Sequence, residues 1–302
     1  MPNPITPPPN RPDDPTGRKP FTAADTVGDI VARLPEAAAV FREARIDYCC
    51  GGKKTLGEAL QKRGLDVQPF LDELNRLLSE ATSPEDGRQA DWRTEPLSCL
   101  VDHIVRRHHA YLEHELPELA AAVTKLLRVH GDAHPELAEL HRTFHELKAD
   151  LEQHLFTEEK RLFPLVRRAE SSGDAALYAE AARLIDELER DHENAGRKLA
   201  EMRDITRDYQ LPADACRTYA DTFARLDRLE ADMHEHVHLE NNVLFPRVLA
   251  AAGIRTDGHT AAGGSGGSFA SRHPHASPNA RAADDTTAAQ KARPPALGSD
   301  TP

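Results

Sequence analysis

Two segments of this sequence combine a histidine, a glutamate and a Leu-Phe-Pro triplet at the same spacing. They read HLFTEEKRLFP, with His154 and Glu158, and HVHLENNVLFP, with His236 and Glu240, and they lie 82 residues apart. Residues four positions apart on a helix share one face, at about 5 to 6 Å between their Cβ atoms. An imidazole and a carboxylate at this spacing can bind the same metal ion or two adjacent ions. The pattern therefore predicts metal chemistry, provided that these side chains point into the protein interior.

The apolar periodicity of the surrounding helices predicts that they do. A helix that packs in a bundle buries apolar residues at steps of three and four. The buried stripes include Leu147, Leu151, His154, Glu158 and Leu162 in one helix, and Leu229, Met233, His236, Glu240 and Leu244 in another. The polar pairs thus lie on the core faces themselves, with Leu-Phe-Pro expected to pack and to bend each helix.

Two further helices each carry one histidine on the corresponding face. His109 and His192 lie 83 residues apart, and they precede the two motif histidines by 45 and 44 residues. These matched offsets indicate a duplicated helical hairpin. Two-fold pseudosymmetry would bring four imidazoles and two carboxylates together across the core.

An ionised carboxylate without a partner is costly to bury, by several kcal/mol or more. No Lys or Arg shares the predicted faces of Glu158 and Glu240, whereas metal cations would neutralise both. Four nitrogen and two oxygen ligands suit iron, manganese or zinc better than Ca²⁺ or Cu(I). We predict a dinuclear centre of two iron ions, bridged by the two carboxylates, with two histidines on each ion and open coordination positions.

A single histidine on an apolar face is more often a hydrogen-bonded core residue than a ligand, but four at matched offsets favour metal. Seven other bundle histidines lie off the predicted faces or next to them, and we interpret them as surface residues or as partners of the ligands: His103, His108, His114, His141, His145, His234 and His238. Asp150 and Asp191 could likewise accept hydrogen bonds from ligand histidines, although solvent-exposed helix acids are the simpler interpretation.

Composition and charge narrow the class of protein. The chain has 302 residues and a formal net charge of −12, which argues against a nucleic-acid-binding surface. Neither a signal peptide nor an apolar run long enough to cross a membrane is visible, so we expect a cytoplasmic protein. Four cysteines are too few for a disulfide scaffold, and we expect Cys99 and Cys216 to be small packing residues in helices.

The chain divides into five predicted segments. Residues 1–20 and 253–302 are rich in Pro, Gly, Ser and Ala, and we expect both tails to be disordered. Residues 21–85 should form a small helical domain and 86–94 a linker. Residues 95–252 contain four long helical patterns joined by short breaks, which predicts an up-and-down four-helix bundle in an all-α fold.

Local signals define the helices of the small domain. Thr26 is expected to cap a helix that ends at Leu34, and Pro35 to lie in the first turn of the next helix. Thr55 and Glu58 have the spacing of a capping box. Between the second and third helices, DYCCGGKKT is predicted to form a turn.

That turn contains the adjacent cysteines Cys49 and Cys50. A disulfide between neighbouring cysteines is strained, so we expect free thiols. The glycines that follow should expose both, and Lys53 and Lys54 should favour the thiolate form. A structural role as a half-buried turn is the alternative.

Residues 24–250 resemble the iron–sulfur cluster repair di-iron proteins, also called the repair-of-iron-centres family. The resemblance lies in DYCCGGKKTL, Asp91-Trp92, LPEL at 116–119, HLFTEE, DHENAG at 191–196 and HVHLENNVLFP. It implies an N-terminal Cys-Cys domain and a hemerythrin-like bundle with a non-haem di-iron centre. The family's ligands fall on the residues that periodicity selects: His109, His154, Glu158, His192, His236 and Glu240.

The resemblance implies repair of iron–sulfur clusters damaged by nitric oxide or peroxide. Iron supply is the expected mechanism, with Cys49 and Cys50 receiving or relaying the ion, and damaged iron–sulfur proteins as partners. Oxygen-carrying hemerythrins have a further histidine where this chain has Gly196, and its absence favours labile or reactive iron. Nitric oxide reduction, a hemerythrin-like oxygen or nitric oxide sensor, and a metal-free interaction protein are the alternatives. The oligomeric state stays open, with a homodimer as one candidate.

Overall fold

The computed structural model describes residues 19–81 and 90–254 of the chain. These residues form helices and contain no β-strand, and their only extended pairing is an isolated bridge between Thr26 and Thr55. The all-α class expected from the sequence is confirmed. The two tails that we expected to be disordered lie almost wholly outside the described residues.

A small helical unit comes first. Its apolar core is built from inward residues such as Phe41, Leu60 and Leu74, which are fully buried. Its helices are α1 (Val27–Arg33), α2 (Ala37–Glu43), α3 (Leu56–Arg63) and α4 (Val67–Glu80).

Side-chain caps fix where α1 and α3 begin. The hydroxyl of Thr26 accepts a hydrogen bond from the backbone N–H of Asp29, and Thr55 and Glu58 form the expected reciprocal capping box. The position of Pro35 differs from the prediction that it lies in the first turn of a helix, because α2 begins only at Ala37. The N–H groups of Ala37 and Ala38 donate to the carbonyls of Leu34 and Pro35, so a tight turn precedes the helix and Pro35 lies in that turn.

Four long helices form the bundle, joined by short connections at the predicted breaks. The first contacts the second, the second the third, the third the fourth and the fourth the first, which closes an up-and-down ring. They comprise α5 and α6 (Leu97–Ile104 and Ala110–His130), α7 and α8 (Glu136–Thr157 and Phe163–Ser172), α9 (Ala175–Ile205), and α10 and α11 (Arg217–Leu239 and Phe245–Ala251).

Three of the four long helices contain one π-helical turn that the periodicity did not predict. These turns are π1 (Val105–His109), π2 (Glu158–Leu162) and π3 (Glu240–Leu244). In each turn, a backbone N–H donates a hydrogen bond to the carbonyl five residues earlier in the chain. In π2, for example, the N–H of Phe163 donates to the carbonyl of Glu158. Pro164 and Pro246, which lack an N–H, follow π2 and π3 at the start of the next helix, so the Leu-Phe-Pro triplets mark a widened turn.

The bundle interior has two apolar clusters, one on each side of a polar layer. One cluster includes Leu112, Phe144 and Leu229, and the other includes Ile104, Leu188 and Phe245. The π-turns lie at the level of the polar layer between them. Among the described residues, we find no helix that combines the length and the hydrophobicity needed to span a bilayer.

Candidate metal centre

The six predicted ligands come together in the interior of the bundle as two groups of four. One group contains His109 and His236, the other contains His154 and His192, and both contain Glu158 and Glu240. Within each group, one ligand atom from every residue lies within 4.8 Å of the others. Both carboxylates therefore lie between two pairs of imidazoles, which is the arrangement expected for bridging ligands.

Distances between individual atoms support the same arrangement. Oε2 of Glu158 lies 3.3 Å from Nε2 of His109 and 3.3 Å from Nε2 of His154. Oε1 of Glu240 lies 3.1 Å from Nε2 of His236, and its Oε2 lies 3.2 Å from Nε2 of His192. Two ligand atoms that each lie about 2.1 Å from one ion, with a ligand–metal–ligand angle of about 90°, would lie about 3 Å apart. The spacing is that of ligands around common centres.

The buried carboxylates test whether cations fit here. Glu158 and Glu240 are fully buried, and none of their four side-chain oxygens has a hydrogen-bond partner. In the described part of the chain, neither carboxylate forms an ion pair with Lys or Arg. Nε2 of His109 and of His236 also has no hydrogen-bond partner. A cation supplies the partner that these lone pairs lack, so the residues fit a pair of metal ions.

Two of the four imidazoles have a hydrogen-bond acceptor at the opposite ring nitrogen, and a third has a carboxylate nearby without a hydrogen bond. Nδ1 of His109 lies 2.9 Å from Glu159. Nδ1 of His154 lies 3.5 Å from Asp191, and Nδ1 of His192 lies 2.8 Å from Asn241. Such partners fix the imidazole tautomer and direct the Nε2 lone pair at a metal.

Sequence reasoning found only one of these three partners, the carboxylate that lies near His154. Asp191 was a candidate, whereas Asp150 instead accepts hydrogen bonds from Asn194 and Lys198. Glu159 and Asn241 were missed, although each directly follows a candidate ligand glutamate in the sequence. That adjacency was the available signal.

Without metal, the charge balance of the site favours the protonated form of His109 and His154, whereas burial lowers the pKa of His236. Burial lowers the pKa of His154, but the carboxylates of Glu158 and Asp191 outweigh it and raise that pKa to about 10. Burial raises the pKa of Glu240, but His236 and His192 outweigh it and hold that pKa well below its usual range. Since a metal ligand must be a neutral imidazole, metal binding here displaces protons.

His108 is the residue whose position differs most from a surface histidine. It is fully buried, its Nδ1 lies 3.1 Å from Asp232, and its ring stacks on that of His236 with centroids 5.4 Å apart. The π1 turn places both His108 and His109 inside the bundle. His238 is also buried, whereas His103, His141, His145 and His234 are half-buried and His114 is exposed.

The cysteine turn packs against the bundle close to this centre. Asn242 of π3 donates from Nδ2 to the carbonyls of Tyr48 and Cys49, at 3.1 and 3.0 Å. A Cβ added to Gly52 would lie 2.0 Å from Oδ1 of Asn242, so this close approach requires glycine. Lys53 forms an ion pair with Glu189 at 2.9 Å.

Both thiols are free, but the expectation that both are exposed thiolates is wrong for Cys49. Cys49 is buried against the bundle core, and Cys50 is half-buried. A hydrogen bond to Cys50 and burial raise the pKa of the Cys49 thiol well above its usual range, which keeps it protonated. Lys53 pairs with Glu189 instead of contacting either thiol. Cys99 and Cys216, expected to pack in helices, are exposed.

Two cavities adjoin the cysteine pair. The outer one, about 1170 Å³, is a cleft between the small helical unit and the bundle, and Arg42, Arg197 and His234 line it together with both cysteines. The inner one, about 100 Å³, is lined by both cysteines and by Asn241. Since Asn241 contacts His192, the inner cavity lies between the thiols and the polar layer of the bundle.

Comparisons with known proteins agree with this geometry. Residues 100–248 match the family described as hemerythrin HHE cation binding domain, and residues 23–78 match a domain of unknown function, DUF542. Together with the two histidine and glutamate groups, the first match identifies the bundle as a metal-binding domain.

Curated relatives match most of the chain. The chain is 36% identical over 224 residues to the iron–sulfur cluster repair protein YtfE of Citrobacter koseri, over 74% of this chain and 96% of the relative. The same protein of Escherichia coli O157:H7 is equally similar, and that of an Enterobacter species is 38% identical, with the same coverage. From this identity and coverage, we conclude that the chain belongs to the iron–sulfur cluster repair protein family, which joins an N-terminal Cys-Cys domain to a hemerythrin-type bundle.

Proposed function

We propose that this protein supplies iron to proteins whose iron–sulfur clusters have been damaged by nitrosative or oxidative stress. The observation that carries the proposal is the pair of buried histidine groups that share Glu158 and Glu240. The relatives named as iron–sulfur cluster repair proteins support the choice of partner.

Two iron ions are the proposed occupants of the bundle. His109 and His236 would hold one ion and His154 and His192 the other, while Glu158 and Glu240 would bridge both. Nitrogen and oxygen donors in this ratio suit iron in either common oxidation state. When bound, such iron provides an exchangeable ion and open coordination positions for small ligands.

The bundle residues would hold this iron loosely enough to release it. Each ion receives two imidazoles and two shared carboxylates, and the shared carboxylates divide their charge between two cations. Among the candidate ligands, His192 is the one next to the inner cavity, because its hydrogen-bond partner Asn241 also lines that cavity. We propose that iron leaves through this side of the centre.

Cys49 and Cys50 are the proposed relay for the departing ion. They line both cavities, so an ion that crosses the inner cavity reaches them before it reaches the outer cleft. Asn242 holds the turn in place through the carbonyls of Tyr48 and Cys49. A relay through free thiols would operate in a reducing compartment, and we propose a cytoplasmic location.

Nitric oxide chemistry is the second candidate function. Four protein ligands around each ion leave positions where a diatomic molecule can bind, which favours nitric oxide binding or reduction at the same centre. A homodimer is compatible with both functions, since each chain contains a complete set of candidate ligands.

Transfer of isotopically labelled iron would test the main proposal. The protein, loaded anaerobically with ⁵⁷Fe(II), is incubated with an iron–sulfur enzyme inactivated by nitric oxide, and labelled iron and activity are measured in the re-isolated enzyme. We expect both to rise, and to rise less with the Cys49→Ala, Cys50→Ala chain. Recovery of activity without ⁵⁷Fe transfer would exclude iron supply. Steady nitric oxide consumption by the same sample, with iron retained, would support the second candidate.

A further inference from the structure

A third group of metal-ligand side chains lies outside the bundle centre, in the turn between α2 and α3. One ligand atom each from Asp47, Cys49 and Cys50 lies within 4.8 Å of the others. Sγ of Cys49 is 3.2 Å from Oδ1 of Asp47 and 3.9 Å from Sγ of Cys50. Two sulfur atoms and a carboxylate thus converge next to both cavities.

The distance between the sulfur atoms distinguishes two roles for the pair. A disulfide requires about 2.05 Å between sulfurs. Two thiolates bound to one tetrahedral ion at about 2.3 Å each would hold their sulfurs about 3.8 Å apart. The observed 3.9 Å is that of a hydrogen bond between two free thiols, and it is close to the separation that one shared ion would require.

The backbone holds these three side chains in position. Oδ1 of Asp47 accepts hydrogen bonds from the N–H groups of Cys49 and Cys50, at 3.1 and 3.0 Å. Gly51 is required as well, because a Cβ there would lie 2.6 Å from the carbonyl oxygen of Asp47. Together with the bonds from Asn242, these contacts preform the site, which lowers the entropic cost of binding an ion.

From this geometry we infer that Asp47, Cys49 and Cys50 form a third metal site, which binds a divalent ion such as Fe²⁺ between the inner cavity and the outer cleft. The inference rests on the proposed iron supply and gives the relay a ligand set. The site is transient, since three protein ligands leave a fourth position for water or for a thiolate of the accepting protein.

Binding at this site is an exchange of protons for a metal ion. Each thiol that binds loses its proton to solvent, so one M²⁺ replaces two protons, and two metal–sulfur bonds form without any change in oxidation state. Cys49 is buried, so its thiolate forms only when a cation compensates for the buried charge. Ligand exchange at the fourth position then passes the ion to the acceptor.

A structural role for the same residues is the competing explanation. Asp47 would then only fix the turn through its two backbone hydrogen bonds, and Cys49 would only pack against the bundle. The Asp47→Asn chain separates the two roles, because asparagine keeps the acceptor oxygen for both N–H groups and removes the negative charge.

Cobalt binding to the reduced, full-length chain would test the site, because thiolate ligands give Co²⁺ a sulfur-to-metal charge-transfer absorption that His and Glu ligands lack. We expect three Co²⁺ per chain with this absorption. The Cys49→Ser, Cys50→Ser chain should bind two without it, and Asp47→Asn should weaken the thiolate site about tenfold. Cys99→Ser and Cys216→Ser, at the two exposed cysteines, are the matched controls and should behave as wild type.

The outcomes separate this inference from the proposed function. If wild type binds Co²⁺ only in the bundle, or if the absorption survives in the Cys49→Ser, Cys50→Ser chain, the third site does not exist. An unchanged affinity in Asp47→Asn would exclude Asp47 as a ligand. The Glu158→Gln, Glu240→Gln chain should keep the absorption while losing bundle metal. If the third site binds Co²⁺ but labelled iron never reaches an acceptor enzyme, the proposed supply function fails and the site stands.

Discussion

Asn241 and His192 join two helices of the bundle at the candidate metal centre, since Oδ1 of Asn241 lies 2.8 Å from Nδ1 of His192. The contact directs Nε2 of His192 towards Glu240, 3.2 Å away. The next residue, Asn242, donates hydrogen bonds to the cysteine turn. One π-turn, π3, therefore contains a candidate ligand, the partner of another, and the residue that holds the cysteines.

Replacement of Asn242 by alanine should release the cysteine turn while leaving metal in the bundle. The change removes the donor to the carbonyls of Tyr48 and Cys49, and two lost buried hydrogen bonds cost about 1 to 3 kcal/mol. Hydrogen exchange should become faster in residues 48–52, with an unchanged metal content. Asn194→Ala, which affects only the contacts with Asp150 and Arg197, is the control. Unchanged protection of the turn would contradict the prediction.

Glu158 and its neighbour Glu159 form a matched pair for testing the metal centre. Glu158→Gln removes a charge that both histidine groups share, so we expect the desalted protein to retain half of its metal or less. Glu159→Gln changes only the acceptor at Nδ1 of His109, and it should weaken binding by about 10 to 100 times without abolishing it. Elemental analysis and a metal titration would measure both. Equal effects of the two changes would argue against bridging by Glu158.

Metal loading should release protons, and fewer at higher pH. Burial lowers the pKa values of His109 and His154, but the carboxylates outweigh it and raise them to about 8 and about 10 in the metal-free protein. Near pH 7 both imidazoles are protonated and must lose their protons to bind. Near pH 9 His109 is already neutral. Calorimetric titrations with Zn²⁺ in buffers of different ionisation enthalpy would count the protons.

The same pKa values set the pH dependence of the metal-free fold. A raised pKa means that the protonated imidazoles stabilise the folded chain at low pH. That contribution is fully present below about pH 6.5 and is lost as pH rises through about 8 and about 10. Denaturant unfolding of the metal-free protein at a series of pH values would detect the loss. Stability that instead rises across this interval would refute the assignment.

Metal removal at constant pH should lower the stability of the bundle. Two buried carboxylates would then lack their cations, and an ion at a free concentration one hundred times its Kd contributes about 2.7 kcal/mol. Thermal unfolding before and after chelation would measure the difference. The Glu158→Gln, Glu240→Gln chain should show little response to chelator, because it binds little metal in either condition.

Asp232 should stabilise the bundle through His108. Asp232→Ala leaves Nδ1 of His108 buried without its partner, and we expect a loss of about 1 to 3 kcal/mol in the free energy of unfolding. The metal content should change little, since His108 belongs to neither histidine group. A His108→Phe, Asp232→Leu chain, which removes both polar partners, should recover part of the loss.

The sequence by itself was sufficient to identify the candidate ligands, because their positions follow helical periodicity. Steps of three and four along a helix decide which side chains share a face, and the offsets of 82, 83, 44 and 45 residues aligned four such faces. The six residues that the structure brings together in the bundle were therefore identifiable beforehand, as were the four long helices and the capping box at Thr55.

Tertiary packing decided which of the other side chains are buried and what they contact. The π1 turn buries His108 beside His109, which a regular period of 3.6 cannot predict. Burial of Cys49, which adds to the effect of the Cys50 hydrogen bond on its pKa, follows from contact between segments almost two hundred residues apart in sequence, through Asn242. Local sequence determines dihedral angles and the faces of helices, whereas the exposure and partners of a side chain depend on which distant surface packs against it.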